Sequence, residues 1–203
     1  GRLSLQEDFK RVAAVRKAIG NEIDLLVDGN NAYYSFQAIQ MGKMLESLNV
    51  FWFEEPVETE DILGSEKVAS ALAIPVAAGE NEKTRYGFRE LIMQRAMDIA
   101  QPDVTWSGGY TEVKKIADMC SAWSIPCVPH SFSSAITLVA NLHFNAGISN
   151  HLFQEFDQNK NPLREVLLEE PIRIDEAGYL NLSEKPGLGI QLNQKIFEQY
   201  LIE

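Results

Sequence analysis

Short apolar runs alternate along the chain with longer stretches in which apolar residues recur at helical spacing. Each unit opens with a run of β-branched or aromatic residues, continues through a polar turn and ends in an amphipathic stretch of helix length. This alternation is typical of parallel strands joined by crossover helices, and it predicts an α/β fold. The runs interpreted as strands are residues 23–27, 50–53, 75–78, 97–100, 126–128 and 151–153.

Two of the predicted helices have clear end signals. Ser4 and Glu7 have the spacing of a capping box, and Gly20 lies where the first helix is expected to end. A second helix is predicted after Gly108 and Gly109, with one apolar and one polar face. The predicted apolar face consists of Val113, Ile116, Ala117, Cys120 and Trp123.

Every predicted strand is followed by a polar side chain that can carry chemistry. These side chains recur at intervals of 23 to 27 residues, which is the length of one strand-and-helix unit in a (β/α) barrel. The carboxyl ends of barrel strands open onto one mouth, whereas the strand ends of an open doubly wound sheet form a line. The barrel is therefore favoured, with six side chains converging: Asp28, Glu54, Glu80, Asp103, His130 and Glu155.

The repeat stops after about residue 160. Residues 176–182 predict a turn that enters a short strand, and residues 191–201 predict a last helix. We therefore expect residues 1–160 to form a partial barrel and residues 161–203 to form a C-terminal extension that packs on the barrel or on a capping domain. A barrel needs eight strands and only six are visible, so two strands and a preceding domain are expected upstream.

Composition and charge exclude several classes of protein. The net charge of −11 disfavours nucleic acids and anionic membranes as partners. No apolar run approaches the ~18 to 20 residues that span a bilayer, and the N-terminus lacks a signal-peptide pattern, so a cytoplasmic location is expected. Cys120 and Cys127 are expected to be reduced thiols in the core.

Six motifs, taken together, resemble a known family. In order and spacing they resemble the C-terminal part of the enolase superfamily, in the mandelate racemase and muconate lactonizing enzyme branch. The resemblance implies a TIM-type barrel of the (β/α)7β form, here without its first strands and its N-terminal capping domain. The motifs are Val27-Asp28-Gly29-Asn30, Phe53-Glu54-Glu55-Pro56, Ala78-Gly79-Glu80-Asn81, Gln101-Pro102-Asp103, Pro129-His130-Ser131-Phe132 and Pro186-Gly187-Leu188-Gly189.

The resemblance implies a metal site and a base. Asp28, Glu54 and Glu80 are expected to bind a divalent metal, Mg²⁺, which prefers hard oxygen ligands. The cation would explain why the apolar run before Glu54 ends in a carboxylate. His130 and Asp103 are expected to form the base dyad, in which the carboxylate holds the imidazole tautomer and raises its basicity.

Other residues are further candidates for the site. Glu155 matches an acidic residue that, in relatives resembling mandelate racemase, lies near the substrate carboxylate and can donate a hydrogen bond when protonated. Asn30 and Asn81 are candidates for contact with substrate or with metal-bound water, although turn chemistry is the alternative. Trp106 and Phe132 are candidates for lining the mouth. His143 and His151 are expected to be structural, and Gly108-Gly109 is expected to form a tight turn rather than an anion site.

The implied reaction is removal of the proton α to a carboxylate, with a metal stabilising the enediolate. We expect an acid-sugar dehydratase that acts on a small-molecule carboxylate, an aldonate or aldarate, and that forms a homo-oligomer. A racemase or epimerase, a cycloisomerase, a barrel glycosidase that uses two carboxylates and a non-catalytic remnant stay open as alternatives. The family's lysine-x-lysine strand end, expected just before the first helix, is not in this sequence.

Overall fold

The computed structural model describes residues 3–202 of the chain. Its centre is a four-stranded sheet in the order β1-β2-β3-β4, in which every neighbouring pair is parallel. The order in the sheet is the order in the chain, as in the wall of a barrel. This confirms the prediction of a parallel α/β fold. The strands are β1 (Leu25–Asp28), β2 (Val50–Glu54), β3 (Val76–Ala78) and β4 (Ile99–Ala100).

Two further predicted strands continue the sheet, but each is reduced to a single bridge. Cys127 bridges Ala100 on one side and His151 on the other, both in parallel orientation. The predicted strands 126–128 and 151–153 are thus in the right order but too long, and β4 is two residues shorter than predicted. Pro126 has no amide hydrogen to donate, which limits the pairing of its segment.

Helices separate the strands, as the apolar periodicity predicts. Ser4 caps α1 through a complete capping box with Glu7, and Gly20 ends the helix with a φ of 77°. In the part of the chain that the structure describes, no helix has the length and apolar composition that crossing a membrane requires. The barrel helices are α1 (Leu5–Ile19), α2 (Ser35–Glu46), α3 (Ile62–Ala71), α4 (Thr84–Met93), α5 (Tyr110–Ala122) and α6 (Ala135–Ala146).

Arg16 connects the end of α1 to the turn between α2 and β2. Its side chain is buried and donates hydrogen bonds of 2.7 to 2.9 Å to the carbonyl oxygens of Gly20, Ile23, Leu48 and Asn49. The Ile23 carbonyl is therefore directed to Arg16, and β1 begins at Leu25 rather than at residue 23 as predicted.

Trp123 is not part of the apolar face of α5, contrary to the prediction. The helix ends at Ala122, and the Trp123 indole is partly exposed with the Arg95 guanidinium 4.6 Å from its centroid. Because the backbone leaves helical geometry at Trp123, its side chain does not continue the apolar face of α5. The other predicted members of the face, Val113, Ile116, Ala117 and Cys120, are buried.

The sheet is buried on both faces. Phe53 of β2 packs against helix residues, whereas its neighbour Trp52 packs on the opposite face, as strand alternation requires. The Phe153 ring lies 5.3 Å from the Trp52 ring, so the last bridged segment reaches back to β2 and the sheet is curved. The helix-side cluster includes Ala38, Met41, Leu45 and Val68, and the inner cluster includes Ala77, Ile99 and Val128.

The C-terminal segment adds two short helices, α7 (Pro162–Glu165) and α8 (Gln194–Gln199). The last helix is shorter at both ends than the predicted 191–201. It begins after Asn193, whose side chain accepts a hydrogen bond from the Ile196 amide as the N-cap. Residues 176–182 contain a turn, and the predicted strand there is a single antiparallel bridge between Ile174 and Leu180. Leu168 packs on α6. The division of the chain at residue 160 stays a prediction.

Candidate active site

The polar side chains that follow the strands lie along one edge of the sheet. Asp28 and Glu54 are register partners at the ends of β1 and β2, and Glu80 follows β3 by two residues. Parallel strands place their carboxyl ends on the same edge, so these carboxylates face one acidic basin.

Glu54 is held in place by two donors. The Trp52 indole N–H donates to Oε2 at 3.0 Å, and the Gln101 amide donates to Oε1 at 2.7 Å. Gln101 is buried and was not foreseen as a site residue, although it comes directly after β4. The contact with Gln101 crosses from β2 to the end of β4, so it ties the two strand ends together.

Burial and the charges of neighbouring carboxylates raise the pKa values of the basin carboxylates Glu54 and Glu80. Burial, followed by the charge of Asp28, raises the pKa of Glu54 to about 8, and Glu155 and Glu80 add to the effect. Burial, followed by the charge of Glu55, raises the pKa of Glu80 to about 7, with Asp28 contributing. Such shifts arise when like charges share a poorly hydrated space.

These side chains do not form a closed ligand shell. Within residues 3–202, no group of three or more His, Cys, Asp or Glu side chains is arranged to hold a metal ion. The donor set of Asp28, Glu54 and Glu80 is all carboxylate oxygen, which suits a hard dication such as Mg²⁺ or Ca²⁺. Besides burial, repulsion between these neighbouring carboxylates contributes to the raised pKa values of Glu54 and Glu80. The donor chemistry and this repulsion therefore fit a divalent cation.

His130 and Asp103 form a hydrogen-bonded pair. The imidazole Nδ1 lies 3.0 Å from Asp103 Oδ2. The other carboxylate oxygen accepts from the Thr105 amide and hydroxyl, both at 2.7 Å, and from the Asn141 amide at 3.2 Å. Burial favours the neutral acid, but the hydrogen bonds prevail and lower the pKa of Asp103. Asp103 is therefore ionised and rigidly oriented beneath the imidazole.

The second imidazole nitrogen faces the basin. His130 Nε2 lies 3.7 Å from Glu80 Oε2. Burial opposes the charged imidazolium, but the hydrogen bond to Asp103 and the charges of Glu155 and Glu80 outweigh it and raise the pKa of His130 to about 9. In this charge environment the ring is protonated at neutral pH.

Glu155 lies beside His130 and completes the acidic lining. Its Oε2 accepts a hydrogen bond of 2.6 Å from the backbone amide of Ser131. Burial is the main cause that raises the pKa of Glu155, which favours a protonated carboxyl able to donate. The Ser131 hydroxyl is buried and has no hydrogen-bond partner among the described residues.

Asn30 and Asn81 bind carboxylates of the basin. The Asn30 backbone amide donates to Asp28 at 2.7 Å, and the Asn81 side chain donates to Glu55 at 3.0 Å. The Asn31 side chain also donates to buried Glu55, at 2.6 Å. Glu55 therefore anchors the loops after β1 and β3, and contact of Asn30 and Asn81 with a substrate stays a prediction.

Asn141 is a second site residue, besides Gln101, that the sequence analysis did not identify. It is fully buried in α6, donates to Asp103 and to the His130 carbonyl oxygen, and accepts from the Val104 amide at 2.9 Å. The available signal was an amide in a predominantly apolar helix, since such a group needs polar partners when it is buried.

The remaining residues considered in the sequence analysis form a turn, contact the backbone or are exposed. Gly108 and Gly109 both have positive φ, and the Gly109 amide donates to the Val104 carbonyl, as in a tight turn. The rings of His143 and His151 each lie within hydrogen-bond distance of a backbone carbonyl oxygen. Trp106 and Phe132 are exposed.

Comparison with known proteins gives consistent matches. The family model described as "Enolase C-terminal domain-like" matches residues 1–196. Arabinonate dehydratase of Saccharolobus solfataricus is 38% identical over 200 residues, which are 98% of this chain and 53% of that protein. D-galactarolactone cycloisomerase of Agrobacterium fabrum is 34% identical, with coverage of 97% and 54%.

Solved structures agree with the sequence matches. The 3,6-anhydro-D-galactonate cycloisomerase of Zobellia galactanivorans has a TM-score of 0.92 and 36% identity, over 99% of this chain and 57% of that one. The chain thus spans about half the length of the relatives it matches.

Proposed function

This chain belongs to the enolase C-terminal domain-like family, and from that premise we propose that it carries out metal-dependent removal of the proton α to a carboxylate. The proposed reaction is dehydration of an acid sugar, an aldonate or an aldarate. The observation that carries the proposal is the His130–Asp103 pair, whose second ring nitrogen faces the acidic basin.

Asp28, Glu54 and Glu80 are the proposed ligands of the metal, Mg²⁺. Support comes from their all-oxygen chemistry and from the raised pKa values of Glu54 and Glu80. When bound, the cation would stabilise the negative charge that develops on the substrate carboxylate as the α proton leaves.

His130 is the proposed base. Asp103 engages Nδ1, so Nε2 is the nitrogen left to take a proton from carbon. A pKa of about 9 leaves the ring protonated at neutral pH, and the ring becomes a base only when positive charge in the basin offsets Glu80 and Glu155. Asp103 holds the ring orientation throughout, because its own lowered pKa keeps it ionised.

Dehydration requires a second proton movement. After His130 has taken the α proton, the β carbon–oxygen bond breaks and the imidazolium can return that proton to the departing hydroxide, so that water leaves. The product is an enol that becomes a 2-keto-3-deoxy acid. Glu155, whose raised pKa favours the neutral carboxyl, is placed to donate a hydrogen bond to substrate oxygen.

Cycloisomerisation is the second candidate. The similar proteins from Agrobacterium fabrum and Zobellia galactanivorans are named cycloisomerases. Both reactions can begin with the same proton abstraction, but only dehydration lowers the mass of the organic acid by one water, so mass spectrometry of the product separates them.

The decisive experiment is exchange of the α proton with solvent deuterium across a panel of acid sugars, with Mg²⁺ present. Replacing a general base costs about 10² to 10⁴ in rate, so His130→Asn is expected to reduce exchange by that factor. His151→Asn serves as the matched control, since that ring contacts a backbone carbonyl away from the basin. Unchanged exchange in His130→Asn, or no exchange with any α-hydroxy acid, would overturn the proposal.

Location and assembly are also part of the proposal. Cys120 and Cys127 are buried, free thiols, which supports a reducing compartment such as the cytoplasm. A homo-oligomer is proposed from the family resemblance.

A further inference from the structure

The loops after β3 and β4 form a platform at the mouth that the proposed reaction does not use. We infer that Lys83 and Trp106 on this platform bind the end of the substrate remote from the α carbon, and that this end carries a second carboxylate. The substrate is then an aldarate rather than an aldonate. This inference rests on the proposed function and narrows its substrate class.

Lys83 and Trp106 lie directly against each other. The Lys83 ammonium nitrogen is 4.8 Å from the centroid of the Trp106 ring. The Trp106 indole N–H donates to the Asn81 carbonyl oxygen at 3.2 Å, which fixes the ring against the loop that carries Lys83. The indole is still 53% exposed, so much of its surface is available to a ligand. A cation held over an aromatic ring is positioned without being neutralised.

The two loops are joined by further hydrogen bonds. The Thr84 amide donates to the Ser107 carbonyl oxygen at 3.2 Å, and the Ser107 hydroxyl donates to the Glu82 carbonyl oxygen at 3.0 Å. Ser107 is fully buried. Lys83 and Trp106 are therefore held on a rigid base rather than on two independent loops.

The loops of the platform begin at the same strand ends as the proposed reaction centre. Lys83 is three residues beyond Glu80, and Trp106 is three residues beyond Asp103, the partner of His130. A substrate whose α carbon lies at His130 would extend across the strand ends toward these loops. An acid sugar of six carbons has a length of about 6 to 7 Å between its end carbons, comparable to the spacing of one or two neighbouring strands.

Charge selects the kind of group that fits. Arg85, the next basic residue, is paired with Glu112 at 2.7 Å. Lys83, in contrast, has no carboxylate within 4.0 Å of its ammonium anywhere in residues 3–202. In a mouth lined by carboxylates, an ammonium without an acidic partner favours an anionic ligand group over a hydroxyl, because the charge-assisted bond is the stronger one.

The test compares acid sugars that differ only at the remote end, such as galactarate with galactonate and glucarate with gluconate. The full chain with Mg²⁺ is expected to show a higher kcat/KM for the aldarate of the productive pair. A hydrogen bond to a charged group contributes about 1.5 to 3 kcal/mol, so Lys83→Met is expected to lower kcat/KM for the aldarate at least about tenfold, chiefly through KM. The value for the aldonate should change less than about twofold, since its remote hydroxyl makes no ion pair.

Binding without turnover gives an independent readout. In the His130→Asn background, calorimetry should show that Lys83→Met weakens the Kd for the aldarate by a similar factor and leaves that for the aldonate unchanged. Lys83→Gln should behave like Lys83→Met. Lys67→Met, at an exposed position on α3, is the matched control and should alter neither substrate.

The possible results distinguish failure of the Lys83 inference from failure of the proposed α-proton abstraction. If wild type handles aldarate and aldonate equally, or if Lys83→Met lowers both equally, the inference is wrong while α-proton exchange still supports the proposed function. If neither class of acid exchanges its α proton with the wild-type protein, the proposed function fails and the inference fails with it.

Discussion

At the scale of single residues, the environment of Asp103 fixes the orientation of His130, the proposed base. The carboxylate is nearly inaccessible and accepts hydrogen bonds from four groups on three different segments. Such a carboxylate stays ionised and keeps one orientation, which in turn fixes the imidazole. Asn141 also bonds to the backbone of the two segments that this network joins: it accepts from the Val104 amide and donates to the His130 carbonyl oxygen.

Replacing Asn141 tests whether the network positions the base. Asn141→Leu removes a donor to Asp103 and leaves the buried Val104 amide without its acceptor, which is expected to destabilise the fold by about 2 kcal/mol. Exchange of the α proton should also fall at least about tenfold, because the imidazole loses its fixed orientation. Urea unfolding and deuterium exchange measure the two effects.

A neighbouring amide on the same helix supplies the control. Asn145 is also buried in α6, but its side chain donates only to the Phe153 carbonyl oxygen. Asn145→Leu should reduce stability by a similar amount and leave exchange nearly unchanged. Equal loss of exchange in both variants would mean that Asn141 acts through stability alone.

At the scale of elements, the short turns between strands and helices set the positions of the carboxylates at the strand ends. Gly79 lies between β3 and Glu80 with a φ of 118°, where a side chain is strained. A Cβ there would lie 2.7 Å from Cε1 of Phe88, which is fully buried in α4. The turn can therefore take this path only with glycine, and its path sets where Glu80 stands.

Gly79→Ala is expected to damage both the turn and the proposed metal site. Strained φ and displacement of Phe88 together should cost about 2 to 4 kcal/mol. Because Glu80 is the next residue, Mg²⁺ affinity should fall as well, and calorimetric titration measures it. Gly178→Ala is the matched control, since Gly178 also has positive φ but nothing within 4 Å of its would-be Cβ. That variant should lose about 1 kcal/mol and keep its metal affinity.

At the scale of the whole molecule, the curved sheet brings several carboxylates close together at the ends of its strands. Burial, followed by neighbouring negative charge, raises the pKa values of Glu54 and Glu80, so the metal-free fold binds protons at these two side chains more tightly than the unfolded chain does. Stability that is present below the ordinary carboxyl pKa of 4.5 is lost as pH rises toward about 8. A bound cation would reverse this loss.

Metal binding should therefore release protons. Near pH 7, Mg²⁺ is expected to displace about one proton or more per ion, and its affinity should rise with pH up to about 8. Calorimetry in two buffers with different ionisation enthalpies measures the release. The increase in Tm caused by Mg²⁺ should likewise be larger at about pH 8 than at about pH 6.

An acidic residue outside the basin provides the comparison. Glu112 is paired with Arg85, and the hydrogen bond from the Arg85 amide lowers its pKa. Glu112→Gln should leave proton release unchanged. Metal binding with no dependence on buffer would contradict the expected protonation of Glu54 and Glu80.

Much of the fold could be predicted from local sequence. The capping box at Ser4 and the stop at Gly20 are correct because such signals involve residues only a few positions apart. One error arose where another element intervened, because the hydrogen bond from Arg16 takes Ile23 out of β1. Another arose at a helix end, since α5 ends one residue before Trp123. The family resemblance is confirmed by the match over residues 1–196.

The alternation of apolar and polar residues was enough to predict a parallel α/β fold with polar side chains at regular intervals after the strands, because this alternation is a local property of each segment. Which side-chain atoms come into contact depends on tertiary packing. The family resemblance implied that His130 pairs with Asp103, and the structure adds the atoms and the distance of 3.0 Å across 27 positions. The hydrogen bond from Asn141 to Asp103, across 38 positions, and the contact of Lys83 with Trp106, which joins two loops, were not predicted. Those contacts depend on how strands and loops pack side by side, which no local pattern encodes.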